Sequence, residues 1–316
     1  MTQTIALGAT GITMSAQGAG TWQWGDRRVW GYGGAYAQDE VAAAYAASRN
    51  AGITFFDTAE IYGSGVSETL LGAFVRADPE RERLVIATKY APLPARLTSQ
   101  AVARALDASL KRLGMERVDL YQVHWPYSLI RLDTLMSALA DQVHAGKVRA
   151  VGVSNYSARA MRRTHELLAR RGVPLASNQV HYSLLHRQPE WNGVLAACRE
   201  LNVRLIAYSP LEQGILTGKF HTDAAGARLP LLRRLQSGYG AAKLRATLPL
   251  IEALRVIGVA HDGKTPAQVA LNWLMRQGAL PIPGAKNAAQ AAANAGALGW
   301  ELSDEEVVRL SKFDIR

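Results

Sequence analysis

The chain has 316 residues, 48% of them hydrophobic and 20% charged, a balance that excludes a disordered, collagen-like or coiled-coil protein. Its formal net charge of +10 favours anionic partners such as phosphorylated cofactors or acidic substrates over cationic ones. One cysteine, Cys198, rules out an internal disulfide framework and an all-cysteine metal cluster, and fits a reducing compartment.

In chain order, two β-prone runs at 4–7 and 12–15 flank Gly11 and predict a hairpin. After them a two-part unit recurs. Short runs rich in β-branched and apolar residues predict strands at 17–21, 53–58, 84–89, 118–124, 150–155, 176–180, 204–209 and 280–284. Between them, helical periodicity predicts helices at 39–51, 67–76, 99–113, 132–145, 158–171, 189–201, 248–261 and 288–297. The first seven strands start about 30 residues apart, the span of one βα unit. Strict alternation requires parallel pairing through right-handed crossovers, and eight units point to a closed (β/α)8 barrel, with a doubly wound sheet as the alternative.

The wide interval before the last strand predicts a long inserted loop after the seventh strand. Ser303 and Glu306 form a capping-box pattern ahead of an added C-terminal helix at 304–312. No linker composition divides the chain, which predicts one domain over 1–316. No apolar run reaches the roughly 18 residues of a membrane span, and the first 20 residues lack a secretory pattern, so a cytoplasmic location without a membrane partner is expected.

Barrel enzymes place their chemistry at the C-terminal strand ends. Those positions carry a carboxylate (Asp57), a phenol (Tyr62), an amine (Lys89) and an imidazole (His124). A phenol beside an ammonium has its phenolate favoured, and the expected result is a pKa drawn down towards working pH. With an imidazole to orient a carbonyl oxygen, the set suits general-acid reduction by an external hydride. The competing reading is an Asp57–Lys89 ion pair that is purely structural, with Tyr62 and His124 merely packed. Trp22, Trp24, Tyr90, Trp125 and Tyr127 lie just past strand ends and are expected to wall an aromatic substrate pocket. The arginine-rich helix from Arg159 to Arg171 reads as a solvated face, and no nucleic-acid partner is expected. His181 and His186 lack a carboxylate at metal-ligand spacing, and no metal is expected.

The runs GITFFDTAEIYG (52–63), IATK (86–89), YQVHWP (121–126), VGVSNY (151–156), SNQV (177–180) and AYSPL (207–211) stand in an order and spacing that resemble the aldo-keto reductase superfamily, over nearly the whole chain. The resemblance is strongest to a bacterial and plant plastid branch. It implies a (β/α)8 barrel binding extended NADPH, which passes a hydride to an aldehyde or ketone. Carried over by position, Tyr62 is the acid, Lys89 and Asp57 tune it, and His124 orients the carbonyl. Ser154, Asn155 and Gln179 would bond the carboxamide, and Tyr208 would stack on the nicotinamide. Ser209, Leu211, Gln213 and Gly214 would cover the pyrophosphate, and Gly284, Lys286, Gln290 and Asn294 would face the adenosine.

Relatives often carry arginine where this chain has Gln290 and glutamate where it has Ala293. The 2′-phosphate is therefore assigned mainly to Lys286, which leaves NADH open. A small carbonyl compound is the expected partner, and the sequence leaves oligomeric state open. The alternative function implied by resemblance is an NADPH-binding regulatory protein similar to potassium-channel β subunits.

Overall fold

In the computed structural model, residues 3–221 and 240–313 are described. Strands β1 (Thr4–Ala6) and β2 (Thr13–Ser15) form the antiparallel hairpin. Eight parallel strands follow in sequential order: β3 (Gly18–Gly20), β4 (Phe55–Asp57), β5 (Val85–Tyr90), β6 (Val118–Val123), β7 (Val148–Ser154), β8 (Leu175–His181), β9 (Arg204–Tyr208) and β10 (Leu280–Pro281). A parallel bridge from Gly20 to Gly284 joins first strand to last, with the Gly20 amide donating to Pro283 O at 3.2 Å. The close backbone approach at this seam calls for glycine at position 20. A Cβ on Gly20 would lie 2.9 Å from the backbone oxygen of Ile282, whereas one on Gly284 would meet the end of the Gln23 side chain at 2.1 Å, which can swing aside.

Residues on alternate faces of these strands build two cores. The outward face packs against the helices α1 (Gln38–Asn50), α2 (Val66–Ala77), α3 (Gln100–Leu113), α4 (Leu132–His144) and α5 (Ala158–Ala169). The inward face contributes Phe55, Val85, Leu120, Ile206 and Leu280, which pack with Leu7, Ile12 and Met14 of the hairpin. The hairpin thus plugs the barrel floor, so polar chemistry is confined to the opposite end.

Two departures from the predicted helices have local causes. The helix expected at 189–201 is two short ones, α6 (Gln188–Trp191) and α7 (Val194–Glu200), because Gly193 takes φ 80° between them. After β9 come α8 (Ala241–Ala246), α9 (Leu248–Ala260) and a helix the sequence reading omitted, α10 (Pro266–Arg276). It opens on a capping box between Thr265 and Gln268 with proline in its first turn, a legible start signal, and buries Val269, Leu271, Trp273 and Leu274. Then α11 (Ala288–Ala295) and α12 (Asp304–Ser311) complete the order. The expected long loop after β9 falls partly at 222–239, outside the described residues.

Candidate active site

Strand register alone brings the chemical residues together: Asp57 ends β4, Lys89 stands next to last on β5 opposite Gln122 of β6, and Gln179 of β8 lies opposite Ser154 of β7. Lys89 and Asp57 are almost fully buried, 0% and 1% exposed, and form a direct ion pair between Nζ and Oδ1. Nζ also donates to Thr58 O at 2.9 Å and to the Tyr62 hydroxyl at 3.3 Å. The second carboxylate oxygen, Oδ2, accepts from Gln179 Nε2 at 2.8 Å and Gln122 Nε2 at 3.0 Å. A buried charge is tolerated only when paired and hydrogen-bonded, and Asp57 meets both conditions. Burial works against the Lys89 ammonium, but Asp57 and Tyr62 outweigh it and its pKa is raised.

The expected drop in the Tyr62 pKa is corrected. Burial pushes the phenol above its ordinary value, the Lys89 ammonium pulls it down by less, and the Asp57 carboxylate adds to the rise. Tyr62 therefore holds its proton at neutral pH. His124, just past β6, meets Tyr62 edge-on at 5.7 Å between ring centroids and stacks on Trp125 at 4.1 Å. Burial, aided by Lys89, lowers its pKa to about 2, so the imidazole is neutral.

That neutrality has a cost in acid. From the ordinary His value near about 6.5 down to about 2, the unfolded chain binds a proton that the native one refuses, so stability falls as pH falls. The slope is about 1.4 kcal/mol per pH unit at most. Denaturant unfolding of native protein and His124→Gln should show the native protein losing about 2 kcal/mol more between pH 7 and pH 5. A difference that does not change with pH would mean that this imidazole is solvated in the native protein as it is in the unfolded chain.

Tyr62, Asp57 and His124 face one cavity of about 800 Å³ at the barrel mouth, with Lys89 behind them. Ser154, Asn155, Gln179, Tyr208, Ser209, Leu211, Gln213, Gly214, Gly284, Lys286, Gln290 and Asn294 all line it. Asn155, in the left-handed region at φ 63°, donates through Nδ2 to Ser154 Oγ at 3.0 Å and accepts the Tyr208 hydroxyl at 3.1 Å. At the far end the Lys286 amide donates to Gln290 Oε1 at 3.0 Å, and Asn294 Nδ2 donates to Gly284 O at 3.3 Å, which locks the turn before α11. The Lys286 ammonium donates to Trp30 O at 2.8 Å and lies 4.6 Å from the Tyr36 ring centroid.

Of the five aromatic residues assigned to the substrate wall, Trp22 and Trp125 line the cavity and three do not. Trp24 is 1% exposed, packs on Phe56 and Phe74, and donates its indole N–H to Ala285 O at 2.9 Å. Tyr90 is wholly buried and lies under the Arg96 guanidinium, while Tyr127 is 81% exposed. The sequence reading missed Trp30, which lines the cavity and meets Trp22 edge-on at 5.5 Å, and Gln23 and Lys219, also in the lining. It also missed Glu60, which accepts two bonds from Arg96, at 2.5 and 2.7 Å, and one from the Ala91 amide at 2.6 Å. These bonds tie the loop carrying Tyr62 to the one following Lys89. The Asp-Thr-Ala-Glu run was its only sequence signal.

Among the described residues, no group of three or more His, Cys, Asp or Glu is arranged to hold a metal, and no helix is long and apolar enough to cross a membrane. A (β/α)8 barrel that gathers a carboxylate, a phenol, an ammonium and an imidazole at its mouth, beside a cavity of about 800 Å³, has the architecture of a barrel enzyme. The chain belongs to the aldo/keto reductase family, whose sequence profile matches residues 18–315. It is 39% identical over 312 residues to a chloroplastic pyridoxal reductase of Arabidopsis thaliana, covering 95% of this chain and 83% of that one. It is 35% identical to an NADP(+) aldo-keto reductase of Schizosaccharomyces pombe, over 81% of this chain and 77% of that one. A Klebsiella pneumoniae aldo/keto reductase solved with NADP and acetate superposes with a TM-score of 0.77 at 29% identity, covering 98% and 94% of the two chains. A glycerol dehydrogenase of Gluconobacter oxydans gives 0.84 at 27% identity, covering 97% and 93%.

Proposed function

We propose that this oxidoreductase uses NADPH to reduce the carbonyl of a small planar aldehyde or ketone, with Tyr62 as the general acid. The observation that carries the reading is the Tyr62 hydroxyl held 3.3 Å from a buried, Asp57-paired ammonium at the wall of a cavity of about 800 Å³. The volume of that cavity is within the range of cofactor and substrate sites. NADPH, when bound, supplies the hydride. The chain's own residues do the rest. Tyr62 donates its proton to the carbonyl oxygen as that oxygen gains charge, and Lys89 stabilises the phenolate left behind. The neutral His124 ring, fixed by Trp125, offers the same oxygen a hydrogen bond without competing for the proton.

For the cofactor, Tyr208 presents a ring to stack on, and Ser154 and Asn155 present polar atoms near it. Left-handed backbone at Ser209, Gln213 and Gly214, with φ 50°, 52° and 97°, makes a concave run able to turn amides towards a pyrophosphate. Lys286 and the start of α11 supply positive character for the 2′-phosphate. The S. pombe relative is an NADP(+) aldo-keto reductase and the K. pneumoniae one was solved with NADP, which supports the same choice. Trp22, Trp30 and Trp125 give the cavity flat apolar faces, and the A. thaliana relative is named for pyridoxal, itself an aromatic aldehyde. The chain is taken as one functional unit over 1–316, in a cytoplasm-like compartment that suits its buried free thiol.

The test follows NADPH consumption optically with aromatic aldehydes, pyridoxal among them, and repeats it with NADH. Turnover with preference for NADPH is the expected result. Cofactor binding without turnover across a broad carbonyl panel would replace catalysis with the regulatory reading.

A further inference from the structure

Behind the cofactor-facing wall lies a polar cluster that the mechanism does not use. The 209–217 segment lines the cavity through Ser209, Leu211, Gln213, Gly214 and Thr217, but Glu212 turns the other way. Glu212 is 6% exposed, and its carboxylate accepts from His181 Nε2 at 2.5 Å and from Ser183 Oγ at 2.7 Å. A carboxylate can only accept, so the Nε2–H tautomer of His181 is fixed by this contact. Ser183 is itself built in: its backbone exchanges hydrogen bonds with that of His186, and its Oγ accepts from the Leu185 amide at 3.1 Å. The His181 ring is sandwiched, stacked on His186 at 3.9 Å and on Tyr208 at 5.3 Å.

Glu212 also has φ 47°, with Gln213 beside it at 52°. Side chains with a Cβ occupy that region only where surrounding contacts hold them there. The two bonds to Glu212 are those contacts. We infer that Glu212, His181 and Ser183 are positioning residues that pin the 209–217 segment and the Tyr208 ring over the bound cofactor and so set its rate of release. The inference rests on the cofactor reading above. None of the three residues lines the cavity, so their effect passes through the segment and through Tyr208.

The experiment is stopped-flow release of NADPH from the intact protein. Glu212→Ala and His181→Phe should each speed release about tenfold or more, the scale of losing a hydrogen bond to a charged group. Ser183→Ala, the mildest change, should give a smaller increase and is the fallback if Glu212→Ala does not fold. His181→Phe keeps a ring for stacking, whereas His181→Gln keeps a donor, so Gln should release NADPH more slowly than Phe. The double variant Glu212→Ala/His181→Phe should be no faster than the worse single one. Hydride transfer in a single turnover at saturating NADPH should stay within about twofold of native, which general unfolding of the site would not allow. Native release rates in Glu212→Ala and Ser183→Ala would overturn the inference. Native protein that fails to bind NADPH at all would overturn the cofactor reading first, before any variant is compared.

Discussion

Tyr62→Phe should lower the turnover number for carbonyl reduction by about 100-fold to 10,000-fold, the range a positioned general acid contributes. The substitution removes one oxygen and leaves the ring beside Trp22, 6.2 Å between centroids. Lys89 keeps Asp57 and Thr58 O as partners, so no buried charge is orphaned and the fold should be unaffected. NADPH affinity should therefore stay within about twofold, since the phenol acts on the reacting oxygen and binding is carried elsewhere. The raised phenol pKa supplies an independent check. In a spectroscopic titration of the cofactor-free protein, the tyrosinate signal lost in Tyr62→Phe should appear at higher pH than that of an ordinary phenol. Near-native turnover in the variant would remove Tyr62 from the chemistry, and would make His124 the next donor at the wall to test.

The barrel was legible because its signal is local and repeated. Most strands are short apolar runs closed by a polar residue, and the helices between carry their own period, some with a side-chain cap such as Ser157 or Thr265. Asp57, Lys89 and His124 could be grouped for the same reason, since strand ends converge by topology whatever the side chains do. What the sequence left out depends on side-chain direction and on contacts between distant segments. Trp22 and Trp24 stand two apart past the same strand, yet one lines the cavity and the other packs into the core against Phe74, because the loop turns between them. Gln122 reads as an interior strand residue, and only the register opposite Lys89 reveals it as a donor to Asp57. The direction of the Tyr62 pKa depended on a balance of burial against charge that no spacing encodes.

Lys89→Met should abolish measurable reduction and destabilise the protein by about 3–5 kcal/mol, the scale of stranding one member of a buried ion pair. Methionine nearly matches the lysine stem in length and shape, so the change is chiefly one of charge. Asp57 would then keep only its two glutamine donors, with no cation to balance it. Adding Asp57→Asn separates the two consequences. A neutral pair in the same volume should recover most of the stability, because replacing both ions is often close to neutral. It should recover none of the activity, because nothing positive then faces the Tyr62 oxygen as its proton leaves. Denaturant unfolding and NADPH turnover on the two single variants and the double one give the full cycle. If stability and activity returned together in the double variant, the pair would be acting as scaffold alone and Tyr62 would need another source for its phenolate stabilisation.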